Sequence, residues 1–201
     1  MTEITVTHWV RHGEVENPKK ILPGRLPGFH LSANGKKQAQ QTAIYLKHYP
    51  IRSMYTSPMD RCLETARVIQ QTIGKLPIIT EPNLTEIKTP REGEPLTRLE
   101  KDKFNFFKSR FLKKGGETIE EILQRTLSSL NAIIRDNNGR DVIIVTHGDS
   151  IMFLKMKLLW KRVEFSLSRG PFYPSPASIL SLSFNESRTL IQSSEVIFYH
   201  V

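Results

Sequence analysis

The chain has 201 residues, enough to bury one sizeable core without a second full domain. Its 29 basic residues against 20 acidic ones leave a formal charge of +9, a field that draws anions. A single cysteine, Cys62, excludes an internal disulfide framework and any cysteine-based zinc site, and suits a reducing compartment.

The basic residues fall in scattered pairs (Lys19-Lys20, Lys36-Lys37, Lys113-Lys114) without interleaved aromatics, so no specific nucleic-acid partner is expected. No basic segment leads into a continuous apolar run, so the expectation is a cytoplasmic protein with no membrane partner. One domain over residues 1–201 is expected, with no internal repeat or low-complexity segment.

In chain order, residues 4–10 carry β-branched and aromatic side chains and read as a first strand. The stretch NPKKILPGRLPGFHL reads as a loop, after which Ser32 caps a helix reaching about Leu46. IRSMYTSP gives a second strand; Ser57-Pro58 then places a capping serine before a proline at the first helical position, predicting a helix to about Ile73. LPIITEPNLTE reads as a third strand leading to Glu86. Residues 90–116 mix charges with Phe104, Phe106, Phe107 and Phe111 and predict short helices forming a lid.

Thr118 and Glu121 form a capping box, and the apolar stripe from Ile119 to Ile134 predicts a long helix ended by Gly139. RDVIIVTHGDS is a continuous apolar run, as in strands buried on both faces, and a helix from about Ser150 to Trp160 follows. SILSLSF and SEVIFYH, separated by NESRT, read as a closing antiparallel hairpin whose edge a homodimer could use, leaving the oligomeric state open. Strand and helix alternation argues an α/β fold with a mainly parallel sheet, and such sheets bind ligands beyond the carboxyl ends of their strands.

Two strands end in VRHG and VTHG at that edge, which brings His12 and His147 together if the strands are neighbours. A metal would need a third ligand, and the fixed charge of Arg11 would repel it. An oxyanion fits better: Arg11 offers a fork of donors, and Arg61, on the first turn after Ser57-Pro58, offers a second one at a helix N-terminus. His8 reads as a strand residue, and His30, His48 and His200 as surface positions. Glu14 reads equally as a substrate contact or a structural hydrogen-bonding group.

These residues resemble the histidine phosphatase superfamily, the phosphoglycerate mutase-like enzymes. The resemblance is carried in order by VRHGE, GRLPGFHLSANGKKQA, YTSPMDRCLETA, PNLTE, GGETIEEILQR and VIIVTHGDSI. It implies a three-layer αβα, Rossmann-like fold with an antiparallel edge, and a metal-independent enzyme with no cofactor. By the same carry-over, His12 matches the nucleophile that becomes phosphohistidine; Arg11, Arg61 and His147 match the phosphate pocket, with Gly148 beside it; Glu86 matches the general acid. An acid needs a raised pKa, so burial of Glu86 has to outweigh its neighbouring cations. Asn17, Gly24 and Arg25 are the loop candidates for substrate contact.

The chain departs from the family pattern at Val15, where a threonine is frequent, and at Pro176-Ala177, where many relatives have an asparagine and a small residue. Mutases of the superfamily carry a longer insertion between the acid and the second histidine, so the compact chain points to a phosphatase of small phosphorylated metabolites. The alternatives are mutase-type phosphoryl transfer and a catalytically idle relative that binds phosphate or a polyanion.

Overall fold

The computed structural model describes residues 3–198. They contain a six-stranded sheet: β1 (Thr5–Arg11), β2 (Ile51–Thr56), β3 (Ile78–Thr80), β4 (Asp141–Thr146), β5 (Ile179–Phe184) and β6 (Leu190–Val196). The spatial order is β3-β2-β4-β1-β5-β6. The β1/β4, β2/β4 and β2/β3 pairs are parallel, and β5 joins β1 and β6 antiparallel.

Six α-helices accompany these strands: α1 (Ala33–Leu46), α2 (Asp60–Ile73), α3 (Leu96–Lys101), α4 (Ser109–Leu112), α5 (Ile119–Asp136) and α6 (Gly148–Lys155). Side chains alternate across a strand, and β4 shows the consequence. Val142 and Ile144 pack with Trp9, Leu130, Ile134 and Leu154, the layer of α5 and α6; Ile143 and Val145 pack with Val10, Ala43, Cys62 and Ile69, the layer of α1 and α2. Both faces of β4 are therefore covered, which is why its sequence is apolar without a break. The result is the mixed α/β, largely parallel sheet with an antiparallel edge that the sequence implies. A third cluster anchors the 90–116 segment, with Leu99 and Phe106 packed on Ile122, Leu123, Met152 and Phe153.

Several boundaries differ from expectation for identifiable reasons. Ser32 does cap α1, accepting from Gly35 N at 2.9 Å, and the Thr118/Glu121 capping box is present. Ser57, by contrast, does not cap α2: its hydroxyl pairs with His147 Nε2 at 2.8 Å, and Met59 takes the cap position without a side-chain bond. Arg61 nevertheless sits in the first turn. The third strand covers only Ile78–Thr80, because Pro82, which lacks an N–H, opens a 3-10 turn over Pro82–Leu84; an irregular segment, not a strand, delivers Glu86.

Helix α5 stops at Asp136, with Asn137 at the cap, and Gly139 occupies the following turn at φ +69°. Helix α6 starts at Gly148 and ends in a π-helical turn over Met156–Trp160. The last strand begins at Leu190, directly after the polar turn, rather than at Ser194. His8 is buried in β1, while His30 and His48 are exposed; His200 lies outside the described residues.

Candidate active site

Because β1 and β4 are adjacent and parallel, Arg11 stands opposite Thr146, and the next residues, His12 and His147, leave the same edge together. The His12 amide donates to Thr146 O at 3.0 Å, and the two imidazole centroids lie 5.3 Å apart. The turn after His12 presses onto the start of α1: a Cβ on Gly13 would lie 2.5 Å from Gly35 O, and one on Gly35 would lie 2.0 Å from Glu14 O. Only glycines allow this backbone contact. Glu14 belongs to the same junction, its carboxylate accepting from Ser32 Oγ at 2.6 Å and Asn34 Nδ2 at 3.0 Å.

His12 is only 8% exposed, and its Nδ1 lies 2.8 Å from Gly13 O. A carbonyl oxygen only accepts, so Nδ1 carries the proton and Nε2 keeps its lone pair. Arg61 Nε donates to that Nε2 at 3.1 Å. Arg61 is itself buried; its Nη2 donates to Gly24 O at 2.9 Å and lies 3.2 Å from His147 Nδ1 and 3.5 Å from Glu86 Oε2. Glu86 Oε1 accepts from Ile87 N at 2.9 Å, and Glu86 Oε2 is 3.3 Å from His147 Nδ1. His147, fully buried at the N-cap of α6, is oriented by Ser57 through its other nitrogen.

Burial, reinforced by Arg61, His147 and Arg11, holds the His12 imidazole well below the usual histidine range, so it is neutral at physiological pH. Burial likewise pushes His147 down to about 4, helped by Arg61 and opposed by Glu86. Glu86 corrects the expectation of a raised pKa: burial drives its carboxyl upward, but His147, Arg61 and the Ile87 amide together hold it well below the usual carboxylate range. Glu86 keeps 17% of its side-chain surface, so its desolvation is incomplete and its close donors win. Beneath the site, burial pushes the Cys62 thiol up to about 12, which removes it as a nucleophile at neutral pH.

His12, Glu86 and His147 offer ligand atoms within 4.8 Å of one another, the spacing of a metal site. All three atoms, however, face the Arg61 guanidinium at 3.1 to 3.5 Å, and a metal cation there would meet a permanent positive charge. The donor set suits an anion.

A cavity of about 510 Å³ opens over this cluster and is lined by Arg11, His12, Arg61 and Glu86 at one end. Asn17 and Gly24 also line it. The Asn17 amide is committed at both ends to the Ile21 backbone, and Gly24 contributes the carbonyl held by Arg61. Arg25 is not on the lining: its Nε donates to Glu86 O at 2.7 Å and its Nη2 to Glu117 at 2.9 Å, so it props the Glu86 segment. A Cβ on Gly148 would lie 2.5 Å from the Tyr173 hydroxyl, so its bareness seats that ring.

Sequence reasoning missed Tyr173, Asp149 and Arg169, which also line the cavity. Arg169 makes a two-point pair with Asp149 and lies over the Tyr173 ring at 4.9 Å, and Arg11 lies over the same ring at 5.3 Å while donating to Pro174 O at 2.6 Å. Asp149 could have been flagged by its place just after His147-Gly148. Arg169 and Tyr173 sit in an irregular stretch whose return to the site only the fold reveals.

The family model of the histidine phosphatase superfamily, branch 1, matches residues 8–196, and the chain belongs to that superfamily. An uncharacterized protein of Mycobacterium tuberculosis is 36% identical over 193 residues, covering 94% of each chain. A metal-independent phosphoserine phosphatase of Arabidopsis thaliana is 28% identical over 197 residues, covering 90% of this chain and 78% of its own. Among solved structures, a phosphoglycerate mutase from Bacillus anthracis superposes with a TM-score of 0.78 at 19% identity, covering 94% of this chain and 92% of that one. Phosphatases and mutases thus both stand among its neighbours, and no helix of the described residues is long and apolar enough to cross a membrane.

Proposed function

We propose that the protein is a metal-independent phosphomonoester hydrolase that passes through a phosphohistidine at His12 Nε2. The observation that carries this reading is the bond from His12 Nδ1–H to Gly13 O, which leaves Nε2 unprotonated beside Arg61 on the wall of the cavity. In the first step the Nε2 lone pair attacks phosphorus and the ester P–O bond breaks, its electrons passing to the departing oxygen. Arg11, Arg61 and His147 offset charge on the non-bridging oxygens, a preorganised electrostatic contribution. Glu86 donates the proton that the departing alkoxide needs.

Glu86 is ionised in the resting site, so its proton arrives with substrate. A phosphate monoanion placed against Arg61 and His147 takes over the donors that depress Glu86, raises its pKa and supplies the proton. In the second step Glu86 takes a proton from water, the water oxygen attacks phosphorus, the P–N bond breaks and neutral His12 returns with inorganic phosphate.

Residues 90–116 act as the lid of this single domain, since Leu96, Phe104 and Phe106 form part of the cavity wall. Hydrolysis is favoured over mutase-type transfer because, among the lining residues, the cation beyond the phosphate end, Arg169, is already paired with Asp149 and leaves no free charge for a glycerate carboxylate. The test is release of inorganic phosphate from p-nitrophenyl phosphate alongside interconversion of 2- and 3-phosphoglycerate. Phosphate release without interconversion is expected; efficient isomerisation with slow hydrolysis contradicts the proposal.

A further inference from the structure

Resting on the hydrolase reading, we infer that the leaving group taken by this cavity is an uncharged, largely apolar alcohol, aromatic or branched aliphatic. A volume of about 510 Å³ falls within the range of about 300–1,000 Å³ that suits a drug-sized ligand, so the phosphoryl group fills only one end. Beyond that end, Leu22, Ile87, Leu96, Phe104, Phe106 and Tyr173 line it alongside the polar Asn17, Thr89, Asp149 and Arg169. Of the first six, five lie in the three segments that enclose the site: the loop after β1, the short helices of residues 90–116, and the stretch before β5. Apolar surface contributed by three separate segments is a built wall, not a stray exposed side chain.

Two polar side chains on that wall, Asn17 and Arg169, are already largely engaged. Asn17 is held on the Ile21 backbone through both its oxygen and its nitrogen, which fixes its orientation and leaves it at most one further N–H and one lone pair for a ligand. Arg169 gives two N–H groups to Asp149, and its guanidinium lies near the rings of Tyr173 at 4.9 Å and Phe106 at 5.5 Å. A carboxylate on the leaving group would compete with Asp149 for the Arg169 charge, and Asp149, only 4% exposed, would become a buried, unpaired charge if displaced. Glu86 and Asp149 would also repel such a group. Arg169 Nε, like Arg11 Nε at the phosphate end, is buried without a hydrogen-bond partner.

The experiment compares primary esters, so that leaving-group chemistry is matched: 2-phenylethyl phosphate against 3-phosphoglycerate and glycerol 1-phosphate. The expected kcat/KM for the phenylethyl ester exceeds the others by about 10-fold or more, the discrimination an apolar pocket supplies. Calorimetric binding of 2-phenylethylphosphonate against 3-phosphonopropionate to the resting protein should show the same order. Leu96→Ala should shrink the preference, and Phe104→Arg should shift it toward 3-phosphoglycerate. Equal or better use of 3-phosphoglycerate, stronger binding of 3-phosphonopropionate, or a preference unmoved by both variants overturns the inference. Selective phosphonate binding without turnover of any ester leaves the apolar preference of the cavity standing and removes the hydrolase reading; no binding of either phosphonate together with no turnover of any ester removes both.

Discussion

Acid should destabilise this protein well above the range in which carboxylates titrate, because the site buries two neutral imidazoles. His147 is pushed from 6.5 in the unfolded chain to about 4 in the folded one, by burial first and Arg61 second, against the pull of Glu86. Between those values the unfolded state binds a proton that the folded state refuses, so stability falls as pH drops through 6.5. At pH 5.0 the unfolded group lies 1.5 units below its pKa, and at 1.36 kcal/mol per unit His147 alone costs about 2 kcal/mol relative to pH 7.5. His12, lowered by burial, Arg61, His147 and Arg11, adds to the loss in the same direction. Glu86 acts oppositely in form: its depressed carboxyl contributes stability above about 4.5 that is lost only as pH falls further, outside this window. Urea unfolding at pH 7.5 and 5.0 should therefore show a loss of at least about 2 kcal/mol in the wild type. His147→Gln should recover about 2 kcal/mol of that difference, whatever it does to absolute stability. Equal stability at the two pH values, or an undiminished loss in His147→Gln, would refute the picture of neutral buried imidazoles.

Three further outcomes follow from the geometry. Glu86→Gln should lower kcat by about 10²- to 10⁴-fold on an alkyl phosphate but far less on p-nitrophenyl phosphate, whose leaving group departs as an anion; equal losses on both would remove Glu86 as proton donor. Gly148→Ala forces a methyl to within 2.5 Å of the Tyr173 hydroxyl and should cost about 10- to 100-fold in kcat/KM, with a folded protein by circular dichroism. Arg61→Lys keeps a charge but loses the fork that reaches His12, Gly24 and His147, and steady-state kinetics should show a fall of about 10²-fold or more.

The parts of the fold visible in the sequence were those where one physical signal dominated. The unbroken apolar run of β4 announced a strand buried on both faces, and the Thr118/Glu121 box marked the start of α5. Ser57 misled because one hydroxyl can cap a helix or serve a distant imidazole, and local sequence does not show that His147 competes for it. Arg25 misled for a similar reason: a loop cation beside the site serves the Glu86 backbone and Glu117 instead of the cavity. The convergence of His12, Arg61, Glu86 and His147 was legible through the strand-end motifs and the family resemblance together. The electrostatic state of Glu86 was not, since it depends on three donors at distances fixed by tertiary structure. Tyr173, Asp149 and Arg169 form a set only after the stretch before β5 folds back over α6.

The central claim, transfer of the phosphoryl group to His12 Nε2, is tested by rapid acid-free quenching of the protein mixed with p-nitrophenyl phosphate, followed by peptide mass spectrometry. The account predicts a base-stable, acid-labile mass increase of one phosphoryl group on the peptide bearing His12, formed no slower than turnover and absent in His12→Ala. Undiminished hydrolysis by His12→Ala, or a phosphoryl group trapped on another residue, would contradict it.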